Sequence, residues 1–259
     1  MSVANDPAAP ESPTRVYWPG VIFFYAIACG ISWPLFWWRD MHPESWEAWP
    51  GPESLKGLLP AAGPAIGALL ALAIFRKRHR RTVSLGGTAW PRTLLFMAIP
   101  TALIVAVGFG EEQPHLTALF FAEVHVLYAL GEELGWRGFL QDALTPLAPR
   151  RRYVLVGVLW GVWHLTTFAY GGLRAAGVRL AIMFVLWIVG SWGIGRAVER
   201  SRSLIVAAMI HLVFNFGEHL TPKRAVFVLG ISAVAWVYLL RTWPRPDQGV
   251  GIANVSTSS

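Results

Sequence analysis

Polar residues at helical spacing interrupt three apolar stretches of this 259-residue sequence. In the first stretch, Glu132 and Glu133 precede Arg137. Glu133 and Arg137 are four residues apart with the acid first, which is the better orientation for an ion pair on a helix. Glu132 is turned about 100° away and faces a different neighbour. Because one arginine serves two adjacent carboxylates, the surplus carboxylate is suited to accept a proton.

The other two stretches each carry a pair with the same spacing, Trp160 with His164 and His211 with Asn215. At about 1.5 Å per helical residue, Glu132 and His211 lie about 12 Å from helix ends on one side, and His164 about 16 Å. We therefore expect one glutamate, two histidines and one asparagine from three helices to converge at one level. A lone histidine in an apolar helix most often makes an interhelical hydrogen bond, but three matching depths favour a shared site.

This set of residues supports two kinds of hydrolytic chemistry and one structural role. In the first, Glu132 and His164 deprotonate a water that attacks a carbonyl, while His211 and Asn215 stabilise the oxyanion. In the second, glutamate and histidine ligate zinc, which acidifies the bound water. The sequence contains neither a His-Glu-x-x-His zinc motif nor a Gly-x-Ser-x-Gly serine motif. In the structural alternative, Glu132, Glu133 and Arg137 form a buried ion network that only fixes helix packing.

The composition indicates a membrane protein. Hydrophobic residues make up 54% of the chain and charged residues 14%, against about 25% charged in soluble domains. Mean hydropathy is +0.46. The single cysteine, Cys29, excludes an intrachain disulfide and a cysteine metal cluster; we expect a small buried residue there. Basic residues are scattered between apolar runs, so no nucleic-acid partner is expected.

The fold class that follows is all-α, a polytopic membrane helix bundle with about eight transmembrane helices. We predict a single transmembrane domain over 15–241, flanked by disordered tails at 1–14 and 242–259. Small residues four apart suggest close helix contacts. The predicted spans are 16–38, 57–75, 93–110, 116–140, 153–170, 179–198, 203–217 and 225–241.

The distribution of basic residues orients these spans. With the N-terminus in the cytoplasm, fifteen of the 22 Lys and Arg fall in inside segments and six in outside loops, while Arg137 lies within a span. This bias predicts cytoplasmic N- and C-termini and a candidate site in the cytoplasmic half of the bilayer. The Arg- and Ala-rich composition suggests a bacterial source, for which we expect an inner-membrane location.

The three motifs in this order resemble the CAAX-protease and bacteriocin-processing family, also described as Abi or type II CAAX prenyl endopeptidase-like. The resemblance covers the core at about 116–217, which includes Glu-Glu-x-x-x-Arg and His-x-x-x-Asn in full. The second motif is usually Phe-x-x-x-His, and here Trp160 replaces the phenylalanine while His164 is kept.

The resemblance implies an intramembrane endopeptidase. If the family's roles are carried over, Glu132 activates a water molecule together with His164. Glu133 and Arg137 support this step, and His211 with Asn215 stabilises the oxyanion. The expected partners are the bilayer and a peptide or membrane-protein substrate, including prenylated CAAX-like peptides. Members are often called metalloproteases, so zinc is the candidate cofactor, although we favour a mechanism without an obligatory metal because asparagine is a poor zinc ligand.

Two alternatives from other functional classes remain at this level. The chain could be a non-catalytic membrane scaffold or bacteriocin-immunity protein that keeps the same fold, with motif residues that serve stability alone. It could also be a transporter or proton relay that uses Glu132, His164 and His211. Broken helices and inverted repeats would support the transporter interpretation, and neither is evident in the sequence.

Overall fold

A computed structural model describes residues 15–50, 56–79, 81–108, 115–168, 173–217 and 220–244. This part of the chain is helical, apart from one isolated bridge between Ser84 and Ser203. The predicted all-α class is therefore confirmed. The predicted tail at 1–14 and residues 245–259 of the C-terminal tail lie outside the described residues.

The described helices coincide with all eight predicted apolar segments. Four of them are long and apolar enough to cross a membrane, namely α1, α4, residues 177–201 of α9, and α11. Eight crossings therefore remain a prediction. The helices are α1 (Trp18–Met41), α2 (Pro43–Ala48), α3 (Ala62–Ile74), α4 (Trp90–Val107), α5 (His115–Gly135), α6 (Gln141–Ala143), α7 (Pro149–Trp163), α8 (Leu165–Phe168), α9 (Leu173–Ser201), α10 (Leu204–Gly217) and α11 (Pro222–Arg241).

Prolines set the start of several of these helices. Pro19, Pro91, Pro149 and Pro222 each stand in the first turn of a helix. Proline is favoured there because its fixed φ suits the helix and its missing N–H would have no partner in the first turn. The sequence thus places the N-terminal ends of α1, α4, α7 and α11 locally, before any tertiary contact forms.

Two predicted spans are interrupted in the structure. The span predicted at 116–140 changes at Trp136 from α-helix to a π-helical turn, Trp136–Leu140, which joins α5 to α6. The span predicted at 153–170 is broken at His164, which follows the last residue of α7 and precedes α8. Hydrophobic periodicity does not detect either break, because one irregular turn leaves the apolar composition unchanged.

Small residues allow the helices around the candidate site to approach closely. α3 packs against both α1 and α5, and α7 packs against α9. A Cβ on Gly135 of α5 would lie 2.6 Å from Cβ of Pro64, and one on Gly157 of α7 would lie 2.6 Å from Cα of Ile188. The predicted role of these glycines in helix contact is confirmed at both positions.

A loop at one end of the bundle connects α4 to the junction of α9 and α10. The Ser84 amide donates to the Arg202 carbonyl at 2.9 Å, and the Leu204 amide donates to the Ser84 carbonyl at 2.9 Å. Gly87 has a φ of 67°, and a Cβ there would overlap the backbone of Ser201. The loop therefore fixes the entry of α10, the helix that carries His211.

We predict that Gly157→Ala lowers the melting temperature, because the added methyl group meets the α9 backbone and overpacking costs about 1–3 kcal/mol. Gly193→Ala in α9 is the matched control, because a Cβ there meets nothing within 4 Å. Thermal unfolding in detergent, followed by circular dichroism, compares the two variants. Equal melting temperatures would mean that the contact between α7 and α9 is not close.

Candidate active site

A buried ion cluster centred on Glu133 joins three helices. Nη1 of Arg137 donates to Oε1 of Glu133 at 2.9 Å, and Nδ1 of His211 donates to the same oxygen at 2.8 Å. Nη2 of Arg137 donates to the hydroxyl of Ser191 in α9 at 3.1 Å. Glu133 and Arg137 have no exposed side-chain surface. The ion pair predicted from the i, i+4 spacing is confirmed.

Glu132 has a different set of partners, as its rotation on the helix predicted. Its Oε2 accepts hydrogen bonds from two indole nitrogens, Nε1 of Trp160 at 2.8 Å and Nε1 of Trp136 at 3.2 Å. Its Oε1 is buried and has no hydrogen-bond partner among the described residues. One carboxylate oxygen is thus fixed by two neutral donors, while the other remains an available acceptor.

The two histidines both lie next to the Trp160 indole. The ring centroids of Trp160 and His211 are 5.1 Å apart, and those of Trp160 and His164 are 5.7 Å apart. His164 stacks on Trp187 of α9 with centroids 4.8 Å apart. Glu132 is near enough to interact electrostatically with both imidazoles. The structure therefore brings Glu132, His164 and His211 together, as the matching depths predicted.

The break after α7 positions the His164 ring. Its Nδ1 lies 2.9 Å from the carbonyl oxygen of Trp160, which can only accept, so Nδ1 carries the proton of this hydrogen bond. In the neutral ring, Nε2 is then the acceptor. Because His164 ends the helix, its ring is directed by this local bond rather than by regular helix geometry.

Asn215 is the predicted site residue with the weakest connection to the cluster. It lies one turn after His211 on α10 and is partly buried. Within the described ranges, no hydrogen bond joins its side chain to the cluster.

Sequence reasoning missed several neighbours of the site, namely Tyr128, Trp136, Trp187 and Ser191. Tyr128 lies one turn before Glu132 and interacts with its carboxylate. Ser191 carries a weak signal, because it belongs to a small-residue pair with Gly195. Trp136 lies inside the first motif but has no polar character that would separate it from packing residues. Trp187 gives no sequence signal, because its contact with His164 depends on the packing of α7 against α9.

Other polar residues of α5 lie apart from this cluster. His125 contacts the Phe216 ring and the Phe121 carbonyl, as a helix-contact residue should. Glu123 is exposed. His115 is exposed as well and begins α5. Cys29 is buried in α1, as predicted.

The contacts of Glu133 leave no place for a zinc ion at that carboxylate. In the described part of the chain, no group of three or more His, Cys, Asp or Glu side chains is placed to hold a metal. Oε1 of Glu133 is shared between Arg137 and His211, and Nδ1 of His211 is used in that bond. A metal at this carboxylate would have to displace a guanidinium in a fully buried site.

One comparison with known proteins finds a family model that matches part of the chain. Residues 114–217 match the family model described as Rce1-like, type II CAAX prenyl endopeptidase Rce1-like. The matched range contains Glu132, Glu133, Arg137, Trp160, His164, His211 and Asn215. No curated protein matches the chain.

We predict that Arg137→Met strongly destabilises the protein, because the buried Glu133 carboxylate loses its guanidinium; breaking such a pair costs about 3–5 kcal/mol. The double variant Glu133→Gln/Arg137→Met removes both charges and should recover much of this loss. Melting temperatures of the wild-type protein, Arg137→Met and the double variant in detergent test this prediction. A double variant as unstable as the single one would contradict charge compensation as the role of Arg137.

Proposed function

Because residues 114–217 belong to the type II CAAX prenyl endopeptidase Rce1-like family, we propose that this protein is an intramembrane endopeptidase that hydrolyses peptide bonds with a water activated by glutamate and histidine. Glu132 and Glu133 each have one oxygen without a partner among the described residues, but Glu133 is paired with Arg137. The observation that carries the proposal is that Glu132 accepts hydrogen bonds from neutral indole donors and forms no ion pair with a described residue. Two indole donors hold one oxygen of this carboxylate, and the other oxygen has no partner within the described residues. A general base needs such a fixed and available acceptor.

In the first step, Glu132 takes a proton from a water molecule, and the water oxygen bonds to the scissile carbonyl carbon. The carbonyl π electrons move to its oxygen and give a tetrahedral oxyanion. His164 assists, because its Nδ1 bond to the Trp160 carbonyl makes Nε2 of the neutral ring an acceptor for the water. Two acceptors on one water fix the direction of its attacking lone pair.

Stabilisation of the oxyanion is assigned to His211 and Asn215. Nδ1 of His211 donates to Glu133, so Nε2 can donate to an oxyanion only when the ring carries both protons. The neighbouring Glu133 carboxylate stabilises that doubly protonated form. The side-chain amide of Asn215, one turn further along α10, supplies a second donor.

In the second step, the proton on Glu132 passes to the nitrogen of the leaving amine, and the carbon–nitrogen bond breaks. The products are a new carboxyl group and a new amino group, and Glu132 returns to its ionised form. Arg137 and Glu133 do not exchange protons in this scheme. They hold His211 in place and maintain the charge balance of the buried cluster.

The proposed substrates are membrane-associated peptides, including prenylated CAAX-like peptides, cut in the cytoplasmic half of the bilayer. The family match and the apolar helices support this class. In this proposal the helices around the site lie in the bilayer, so a substrate held at the membrane by an apolar chain would reach the site more readily than a soluble peptide.

Glu132→Gln is predicted to reduce cleavage by about 10²–10⁴-fold, the contribution of a general base. The amide keeps the size and one acceptor oxygen, so folding should be retained. The measurement is hydrolysis of a panel of prenylated and unprenylated peptides by purified protein in detergent, with and without a chelator.

The chelator distinguishes glutamate catalysis from zinc catalysis. Activity lost in Glu132→Gln but kept with chelator supports glutamate catalysis. Activity lost with chelator and restored by zinc would contradict the metal-independent mechanism. Folded wild-type protein that cleaves no peptide of the panel would favour the scaffold or immunity alternative.

Trp160→Phe is predicted to lower kcat by about tenfold or more with little change in KM, because a hydrogen bond to a charged group contributes about 1.5–3 kcal/mol. Trp163→Phe is the matched control on the same helix. The Nε1 of Trp163 is buried without a partner in the described part of the chain, so its loss removes no hydrogen bond. Equal loss of kcat in both variants would assign the effect to packing.

A further inference from the structure

Four arginines from separate parts of the sequence converge on one cavity at the end of the bundle predicted to face the cytoplasm. The cavity has a volume of about 500 Å³, and Arg15, Arg78, Arg81 and Arg202 line it. They come from the segment before α1, the loop after α3 and the junction of α9 with α10. Arg15, Arg78 and Arg81 are exposed, so solvent screens part of their mutual repulsion, and a bound anion would relieve the remainder.

The one carboxylate among the described residues of the cavity wall, Asp142, offsets only one of these four charges and interacts electrostatically with Arg202. Both oxygens of Asp142 accept hydrogen bonds from Thr82, one of them from its amide at 2.7 Å. Arg202 donates to the Thr82 hydroxyl at 2.9 Å and is held in this network. Arg15, Arg78 and Arg81 make no ion pair with any described residue. Three guanidinium groups therefore remain available to a ligand.

His79 provides an independent observation at the same place. Its ring stacks on Phe139 with centroids 4.8 Å apart, and its Nε2 atom is buried without a hydrogen-bond partner in the described ranges. Burial and the nearby Arg81 lower the pKa of His79 to about 4. The ring is neutral at physiological pH, and a polar atom left unsatisfied in this way costs free energy.

The rest of the wall combines a polar rim with an apolar side. Tyr17 and Thr145 bring hydroxyl groups, while Phe75 and Phe139 bring aromatic rings. The volume lies within the range of small-molecule sites and is far larger than a single water needs. Basic pockets between membrane helices on the cytoplasmic side suit the headgroups of anionic lipids.

We propose that this cavity binds a phosphate group, held by the guanidiniums of Arg15, Arg78 and Arg81 with His79 beside them. Planar guanidinium groups match phosphate oxygens in bidentate hydrogen bonds. The phosphate belongs to an anionic phospholipid headgroup or is free in solution. The site is separate from the Glu132 cluster and does not depend on peptidase activity.

The first test measures how short-chain phosphatidylglycerol raises the melting temperature of the full-length protein in detergent. Dihexanoyl phosphatidylcholine and inorganic phosphate are the comparison probes. Arg78→Gln/Arg81→Gln should raise the half-saturating concentration of phosphatidylglycerol at least about tenfold. The matched control is Arg76→Gln/Lys77→Gln, which removes the same charge from exposed positions of the same loop outside the cavity.

The outcomes separate the proposal from a diffuse charge effect. A loss confined to Arg78→Gln/Arg81→Gln supports the site. An equal loss in both double variants overturns it, because overall loop charge then accounts for binding. Stabilisation by inorganic phosphate at equal concentration identifies free phosphate as the ligand, and stabilisation by the anionic lipid alone identifies a headgroup. No stabilisation by either probe overturns the proposal.

Histidine NMR provides a second readout that a purely structural role would not move. A bound phosphate beside His79 favours its protonated form, so saturating ligand should raise the pKa of His79 from about 4. His79→Gln assigns the resonance. A pKa that stays unchanged at saturation would place the ligand elsewhere.

Discussion

The organisation of this protein depends on how a low-dielectric interior holds one guanidinium and two neighbouring carboxylates. One oxygen of Glu133 accepts hydrogen bonds from Arg137 and His211, and Arg137 also donates to Ser191. This network joins α5, α9 and α10, so the ion pair is also the connection between helices. Removal of one partner leaves an uncompensated buried charge, which is why helix arrangement and site chemistry cannot be altered separately.

The two adjacent glutamates differ because of their surroundings and not because of their residue type. Glu133 is balanced by a guanidinium and an imidazole, whereas Glu132 is held by two neutral indole donors through one oxygen. Cationic partners fix a charge in place, while neutral donors orient a carboxylate and leave it able to exchange a proton. Trp160 supplies one of these two donors to the proposed base.

Irregular turns contribute as much to the site as regular helices. The π-helical turn begins at Trp136 and Arg137, which donate to the two glutamates one turn earlier. The break after Trp163 directs the His164 ring through the Trp160 carbonyl. Both irregularities lie at catalytic candidates, as π-bulges in helices often do. At the far end of the same helix, Phe139 and Asp142 form part of the arginine-lined cavity, so α5 and its extension connect the two proposed sites.

The sequence by itself determined the all-α class, the apolar segments, several helix starts and the pairing of Glu133 with Arg137, because each follows from local spacing, hydropathy or proline geometry. The matching depths of Glu132, His164 and His211 also followed from spacing. Each helical residue advances by the same distance along its helix, so positions counted from the helix ends can be compared between neighbouring helices. Only the tertiary structure decided the partners of Glu132, the stacking of His164 on Trp187, the exposure of Glu123 and the convergence of four arginines. Those contacts depend on how helices rotate and pack, and that is set by long-range complementarity, such as Gly157 against Ile188, which no local pattern encodes.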